Sequence, residues 1–419
     1  MDIKQVCGDI RRREILLYGE QEEIEAFLEK YIDELNIQYA LTEYHDEVIL
    51  QPYMKWNLKT VMMEQAEISE NQLIVICAKG TFGTLRRRLI YMKKKEYKEY
   101  ICSELVDALL YDKKLIICMG TQMLEQVCLL LHSSENICRQ YSILYYPESE
   151  LMMPYMNRMA EYSHVSRYCH IYIRSACEKE RFLFKVADKN ISNRECRIIT
   201  VADFGFGGYY PQVINNRDAI SNYLLRGHDR LPMDYETLAL SRTDEEIVKL
   251  CNQNVPKEDI VERLLNPDYY QVEEAQHYFE KQLKRFKALE VTTDIPLGDY
   301  IEKHKGEYLC RNLNEWSEPI ISYVAEEIGK IINMPQLNIS REQRITIIEE
   351  NSGSEMIVYP SVQKALGLEN AFKNKKYKVV TYHQSRYMSM EEYLYFMIEY
   401  LYRAIDIINF AGMDDIPEC

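Results

Sequence analysis

No stretch of this 419-residue chain is long and apolar enough to cross a bilayer. The longest apolar runs, Leu73–Ala78 and Val127–Leu131, fall far short of the roughly 20 residues that a spanning helix needs. No signal-peptide pattern occupies the first residues. Excess positive charge is missing too: 51 Lys and Arg stand against 66 Asp and Glu, a net charge of −15. That sign opposes a phosphate backbone and excludes a general nucleic-acid binder. The 12 cysteines form no Cys-x-x-Cys pair, and no Cys/His spacing is of zinc type, so no metal site is expected. Internal repeats and low-complexity tracts are also absent.

What remains is the profile of a folded protein, with 47% hydrophobic and 28% charged residues and enough length for two or more cores. A cytoplasmic location follows, with cysteines reduced and mostly packed in the interior. Three local basic clusters run against the overall charge: Arg86–Arg88, Lys93–Lys95, and Lys373 through Lys378. Each reads as a solvated face or as a docking point for the phosphates of a cofactor or nucleotide sugar.

Residues 14–105 alternate apolar runs with helical periodicity. Strands are expected at Glu14–Tyr18, Ile37–Glu43, Leu73–Cys77 and near Tyr100–Cys102, with helices at Glu22–Leu35 and Thr84–Lys95. This predicts a small Rossmann-like parallel sheet. Its first turn, Tyr18-Gly19-Glu20-Gln21, has one glycine where a dinucleotide fingerprint needs several, and Glu20 repels phosphate. A structural or partner-binding module fits these residues better than a nucleotide site. A second turn, Lys79–Thr84, suits an anion or an ordinary threonine N-cap equally well.

Near Asp107–Lys113 the pattern changes, which sets the expected boundary: a Rossmann-like α/β domain over 1–110 and a second α/β domain over 111–419. The second opens on KKLIICMGTQMLEQVCLLL, Lys113–Leu131. A short apolar strand passes through Gly120 into an amphipathic helix, a junction that aims backbone N–H groups and the helix dipole at one point. Further strands are expected at Ser142–Tyr145, Ile171–Arg174 and Arg197–Val201. Beyond Tyr210 the character is helical: Arg217–Leu225, Asp244–Asn252, Lys257–Leu265, Val272–Leu289, Glu318–Ile332 and Ser389–Phe410, the last opened by a Ser389/Glu392 capping box.

Three motifs follow the junction in order: Gly208-Tyr209-Tyr210-Pro211-Gln212, Asn314-Glu315-Trp316-Ser317, and Tyr359-Pro360-Ser361 with Ala365–Leu368. With the turn Met119-Gly120-Thr121-Gln122, this series resembles the WcbI-like polysaccharide-biosynthesis family, acetyltransferases that bind coenzyme A. In that family the turn reads Gly-Asn-Cys-Gln, the second motif Gly-Tyr-His-Pro-Asp and the third Asn-His-Pro-Ser. Gln122, Gly208, Tyr209, Pro211, Asn314 and Ser317 match. Thr121 replaces the cysteine, Tyr210 the histidine, Gln212 the aspartate, and Glu315-Trp316 the His-Pro pair.

The resemblance implies an α/β fold for the second domain with a largely helical C-terminal half. It also implies a coenzyme A-dependent transfer of acetyl from acetyl-coenzyme A to a sugar hydroxyl of a capsular, cell-surface polysaccharide precursor. The alternative is a catalytically degenerate binding or assembly component that keeps the fold and works beside other assembly proteins. Thr121, Gln122 and Glu315 become the catalytic candidates; Gly120, Gly208, Tyr209, Tyr210, Asn314 and Ser317 become the cofactor-side candidates. Each has a plain structural role as well. Thr121 is a preferred helix N-cap, while Asn314 and Ser317 suit the start of the next helix. Tyr209 and Tyr210 sit on a glycine-rich loop and either cover a ligand or pack. Glu315 acts as a base only if burial raises its pKa. Cys118 reads as an inert strand thiol and Trp316 as packing. His164, His170, His228 and His383 lie in segments that border a cleft, with ordinary surface or core roles competing.

Overall fold

Glu14–Gly19 (β1, EILLYG) carries four consecutive apolar residues, all buried. A strand buried on both faces belongs inside a parallel sheet covered by helices on either side. The same signature marks Gln72–Cys77 (β4, QLIVIC) and Lys114–Gly120 (β6, KLIICMG). A computed structural model describes residues 7–42, 53–66, 68–77, 85, 89, 92–94, 98–147, 166–176, 195–213, 244–380 and 385–399.

Two parallel sheets result. The first adds Asn36–Thr42 (β2), Lys59–Met62 (β3) and Tyr100–Cys102 (β5), in the order β3-β2-β1-β4-β5. All its pairings are parallel, with Leu17 opposite both Ala40 and Val75. The helix Gln21–Tyr31 follows β1 and buries Ile24, Phe27, Leu28 and Tyr31. The second sheet comprises β6, Tyr141–Pro147 (β7), Ile171–Ala176 (β8) and Arg197–Ala202 (β9), in the order β7-β6-β8-β9. Its pairings are parallel as well. One hydrophobic core joins the two sheets, uniting Ile15, Leu17, Phe27 and Leu28 with Leu115, Ile117, Met119 and Tyr172.

Chain contacts divide the molecule into two compact units: Met1–Asp203 with Thr293–Ile295 and Ser322–Ile347, and Phe204–Thr292 with Pro296–Ile321 and Ile348–Cys419. Both sheets belong to the first unit. The expected division at 110/111 falls at the end of the short helix Val106–Tyr111, where Asp112 adopts a left-handed conformation, φ 56°, before β6 begins. In the second unit the described helices include Glu245–Asn252, Lys257–Leu265, Val272–Leu289 and Pro360–Leu366, and a hairpin pairs Tyr377–Val380 (β10) with Ser385–Met388 (β11). Ser389 and Glu392 form the expected capping box: Glu392 N–H donates to Ser389 Oγ at 3.2 Å and Ser389 N–H to Glu392 Oε2 at 2.7 Å. Among the described residues no helix is long and apolar enough to cross a membrane.

The α/β class, the Rossmann-like N-terminal sheet and the helical C-terminal half are as the sequence predicts. β3, β10 and β11 are additions. β3 and β11 lack any fully buried residue, so they carry no apolar signature of the kind that marks a buried strand. The Lys79–Thr84 turn, the Arg86–Arg88 cluster and the Arg217–Leu225 helix lie outside the described residues.

Candidate functional site

In a doubly wound sheet, ligands bind outside the carboxyl ends of the strands where the strand order reverses. In the second sheet that point is the end of β6, flanked by β7 on one side and β8 on the other. Gly120 and Thr121 occupy it. Gly120 is the last residue of the strand rather than a turn residue. It must be glycine because a Cβ would lie 2.1 Å from Ser175 Oγ and 2.8 Å from Leu124 Cδ1.

Thr121 is the N-cap of the helix Gln122–His132, accepting from Met123 N–H at 3.3 Å. Its hydroxyl also donates to Asp203 Oδ2. Ser175 Oγ donates to the same oxygen at 2.6 Å, and Thr121 N–H donates to Ser175 Oγ at 3.4 Å. Tyr145 of β7 closes the other flank, its hydroxyl 3.0 Å from the carbonyls of both Gly120 and Thr121. Burial first, then the nearby Glu125, keeps that phenol protonated by pushing its pKa up. Asp203 itself is 7% exposed and follows β9 directly. The junction is thus two hydroxyls on one carboxylate at the positive end of an 11-residue helix whose first residue, Gln122, is half-buried.

Sequence reasoning missed Asp203 and Ser175. An acidic residue immediately after an apolar strand was the available signal for Asp203. Nothing local marks Ser175, whose role depends on β8 lying beside β6. Cys118, the nearest sulfur along β6, is 0% exposed and paired with Cys128.

The remaining candidates lie in the second unit, where the second and third motifs meet. Phe206 N–H donates to Leu313 O at 2.9 Å. A Cβ on Gly205 would sit 2.7 Å from Leu313 O and 3.1 Å from Asn314 Oδ1, so the glycine lets the two loops touch. Gly208 is held as tightly, since its Cβ would lie 2.4 Å from Phe206 Cζ. Tyr209 and Tyr210 are 1% and 0% exposed. Tyr210 OH donates to Cys310 O at 2.8 Å, and Tyr209 OH lies 3.3 and 3.2 Å from the carbonyls of Lys305 and Glu307. These rings pack in the interior with Phe206, Phe279 and Trp316 rather than facing outward. Gln212 turns inward too, donating to Ile357 O at 3.1 Å.

Asn314 is exposed, and its backbone N–H donates to Asn312 Oδ1 at 2.9 Å. Ser317 does not cap the helix Glu318–Ile331 with its side chain; the hydroxyl donates back to Tyr308 O. Glu315 accepts from Gly353 N–H at 3.1 Å. Burial raises its pKa, outweighing the opposing pull of Asn312, Gly353, Arg311 and Lys378. A second carboxylate nearby is tuned the other way. Burial would push Glu355 up as well, but Arg311 and Lys375 overcome it and hold the group low. Two carboxyls with separated pKa values are the usual mark of assigned acid and base roles.

His170 has a satisfied structural role: its Nδ1 accepts from Leu115 N–H at 3.1 Å. His164, His228 and His383 lie outside the described residues. Among the described residues no group of three His, Cys, Asp or Glu side chains is arranged to hold a metal ion.

These features define an α/β protein whose second parallel sheet carries a polar junction at its switch point. Residues 190–337 match the model of the family described as "Polysaccharide biosynthesis enzyme WcbI". A solved WcbI structure, described as a novel polysaccharide biosynthesis enzyme in its native form without a disulfide bond between COA and one of its cysteines, has a similar fold. The TM-score is 0.51 at 15% identity, covering 71% of this chain and 93% of that one. No curated protein matches the sequence.

Proposed function

We propose that this chain is a WcbI-like protein of cell-surface, capsular polysaccharide biosynthesis, transferring an acetyl group from a coenzyme A thioester to a sugar hydroxyl in the cytoplasm. The observation that carries the reading is the Thr121 hydroxyl bonded to Asp203 at the switch point of the second sheet. The site residues proposed are Thr121, Gln122 and Glu315 for chemistry and Gly120, Gly208, Tyr209, Tyr210, Asn314 and Ser317 for holding the cofactor side. The working domain division stays 1–110 and 111–419.

The donor set at the junction fits a thioester held without a covalent link. It offers hydroxyls, a carboxylate and helix N-terminal amides, and the thiol that could form a mixed disulfide is replaced by oxygen. Coenzyme A, when bound, supplies the activated acyl group. Asp203 accepts the hydrogen bond of Thr121 and so raises the electron density on its oxygen, the role a base plays toward a weak hydroxyl nucleophile. Free amides in the first turn of the helix, with the Gln122 side chain, stabilise negative charge on an acyl oxygen. In the second unit, Glu315 holds its proton to higher pH than an ordinary glutamate and is the acid–base candidate there. Tyr209, Tyr210 and Ser317 act by fixing the backbone of the loops from within, which leaves Asn314 as the side chain that meets solvent.

Free thiol released from acetyl-coenzyme A in the presence of sugar acceptors tests the activity. Turnover that Thr121→Val and Asp203→Ala each reduce at least tenfold supports it. Turnover indifferent to both removes it.

A second reading, a catalytically silent component that binds or assembles, is favoured by one observation: the Thr121 hydroxyl is already engaged as helix cap and as donor to Asp203. A rise in melting temperature with coenzyme A that Gln122→Ala abolishes, combined with no thiol release, selects this reading. The absence of any shift with coenzyme A excludes both.

A further inference from the structure

Cys169 and Cys196 stand just before β8 and β9, neighbouring parallel strands whose first residues pair as Ile171 with Arg197. Arg197 N–H donates to His170 O at 3.0 Å, so the two main chains here are one ladder spacing apart, about 4.8 Å. That separation lies within the Cα range of disulfides. The two thiols are hydrogen-bonded to each other. Cys169 is fully buried in the core of the first unit, and Cys196 packs against that core while half exposed.

We propose that Cys169 and Cys196 are a reversible oxidation site, closing to a disulfide in response to a peroxide. Cys196 is the thiol that reacts first, because it is reachable from solvent. Its thiolate also receives the Cys169 S–H and the Tyr172 backbone N–H, which together lower its pKa against the effect of burial. Cys169 behaves oppositely, its thiol held protonated chiefly by burial and then by Cys196.

The steps balance. Cys196 thiolate attacks one oxygen of hydrogen peroxide, an S–O bond forms, the O–O bond breaks, and hydroxide leaves. Cys169 then gives up its proton and attacks the Cys196 sulfur; the S–S bond forms, the S–O bond breaks, and the departing hydroxide takes that proton as water. Two electrons pass from sulfur to peroxide, and two thiols plus one peroxide yield a disulfide and two waters.

The molecule contains its own control. Cys118 and Cys128 are also hydrogen-bonded to each other, but they are 0% and 2% exposed, and burial raises the Cys128 thiol. Proximity is the same and access is not.

The test treats the full-length protein with hydrogen peroxide at a few equivalents, alkylates the remaining thiols, and maps the tryptic peptides by mass. A Cys169–Cys196 linked peptide that dithiothreitol releases is expected, with Cys118 and Cys128 recovered as alkylated thiols. Closing the intervening loop should raise the melting temperature by about 4 °C, an increase absent in Cys196→Ser. Cys196 recovered as sulfinic acid beside an alkylatable Cys169 would overturn the proposal, as would a Cys118–Cys128 link forming first. Should the Cys196→Ser protein not fold, the map of the unsubstituted chain decides alone.

Discussion

The two parallel sheets solve the same topological problem and end it differently. Each has a central strand, β1 or β6, with neighbours on both sides and a helix at its carboxyl end. At the end of β1, Gly19 lies so close to β4 that a Cβ would be 1.7 Å from the Cys77 carbonyl oxygen, and Glu20 N–H donates to that same oxygen at 2.9 Å. Main chain fills the crevice, and Glu20, Glu22 and Glu23 crowd the positive end of the helix with carboxylates. At the end of β6 the close neighbours of the glycine are side chains, Ser175 and Leu124, and polar groups converge on Asp203 instead of on a main-chain carbonyl. A switch point is therefore only an opportunity for binding. Whether backbone or side chains pack against the central glycine decides if it is kept.

The sharpest way to break this contrast is to add the same methyl group at both places. Gly19→Ala drives a Cβ into an unyielding carbonyl and should cost about 3 kcal/mol or more, whereas Gly120→Ala meets side chains that rotate aside and should cost about 1–2 kcal/mol. Urea denaturation midpoints of the two variants read the difference, and equal losses would mean the two crevices are alike. Asp203→Ala comes next. It leaves the Thr121 and Ser175 hydroxyls without their shared acceptor, for a loss of about 2 kcal/mol, and it should lower thiol release from acetyl-coenzyme A along with stability. A stability loss with undiminished turnover would reduce Asp203 to a structural role.

Much of the contrast was legible in the sequence. Four-residue apolar runs announced the buried strands, the lone glycine in Tyr18–Gln21 argued against a dinucleotide site, and Thr121 stood where an N-cap belongs. The Ser389/Glu392 box is present in full. What stayed hidden depends on strand order. Ser175 and Asp203 become neighbours of Thr121 only because β8 pairs with β6 and β9 with β8, and no spacing along the chain encodes that. Gly120 looked like a turn residue because sequence shows a glycine's freedom but not the hydroxyl pressed against it. The aromatic pair Tyr209-Tyr210 misled differently. A tyrosine beside glycines on a loop has the same composition whether it faces a ligand or the interior, and here both hydroxyls find main-chain carbonyls inside the second unit.

Thr121→Val separates the capping role from the chemical one at the same junction. It keeps the shape but removes the acceptor of Met123 N–H, an expected loss of about 1 kcal/mol. Thr121→Ser should restore the cap and the bond to Asp203 together. No counterpart exists at the first sheet, where Glu20 makes no side-chain cap bond, so Glu20→Ala should leave the denaturation midpoint nearly unchanged. A midpoint loss in Glu20→Ala as large as that in Thr121→Val would erase the distinction.

The smallest effect concerns the opposite ends of the sheets. The first is fastened by Arg13, whose guanidinium donates to the carbonyls of Gln72 and Lys98 at 2.5 and 2.7 Å. The second is fastened by His170, whose Nδ1 must be unprotonated to accept from Leu115 N–H. Burial, reinforced by Lys114, holds the His170 pKa below its ordinary value of 6.5. As pH falls through that value, the unfolded chain takes up a proton that the folded chain resists, so stability from this group is present above pH 6.5 and drains away on acidification. Melting temperatures at pH 7.5 and 5.5 should therefore differ less in His170→Gln than in the unsubstituted protein, while Arg13→Gln should lower both temperatures without changing their difference. An unchanged pH difference in His170→Gln would show that protonation of the histidine, and with it the loss of its bond to Leu115, has no part in how the second sheet begins.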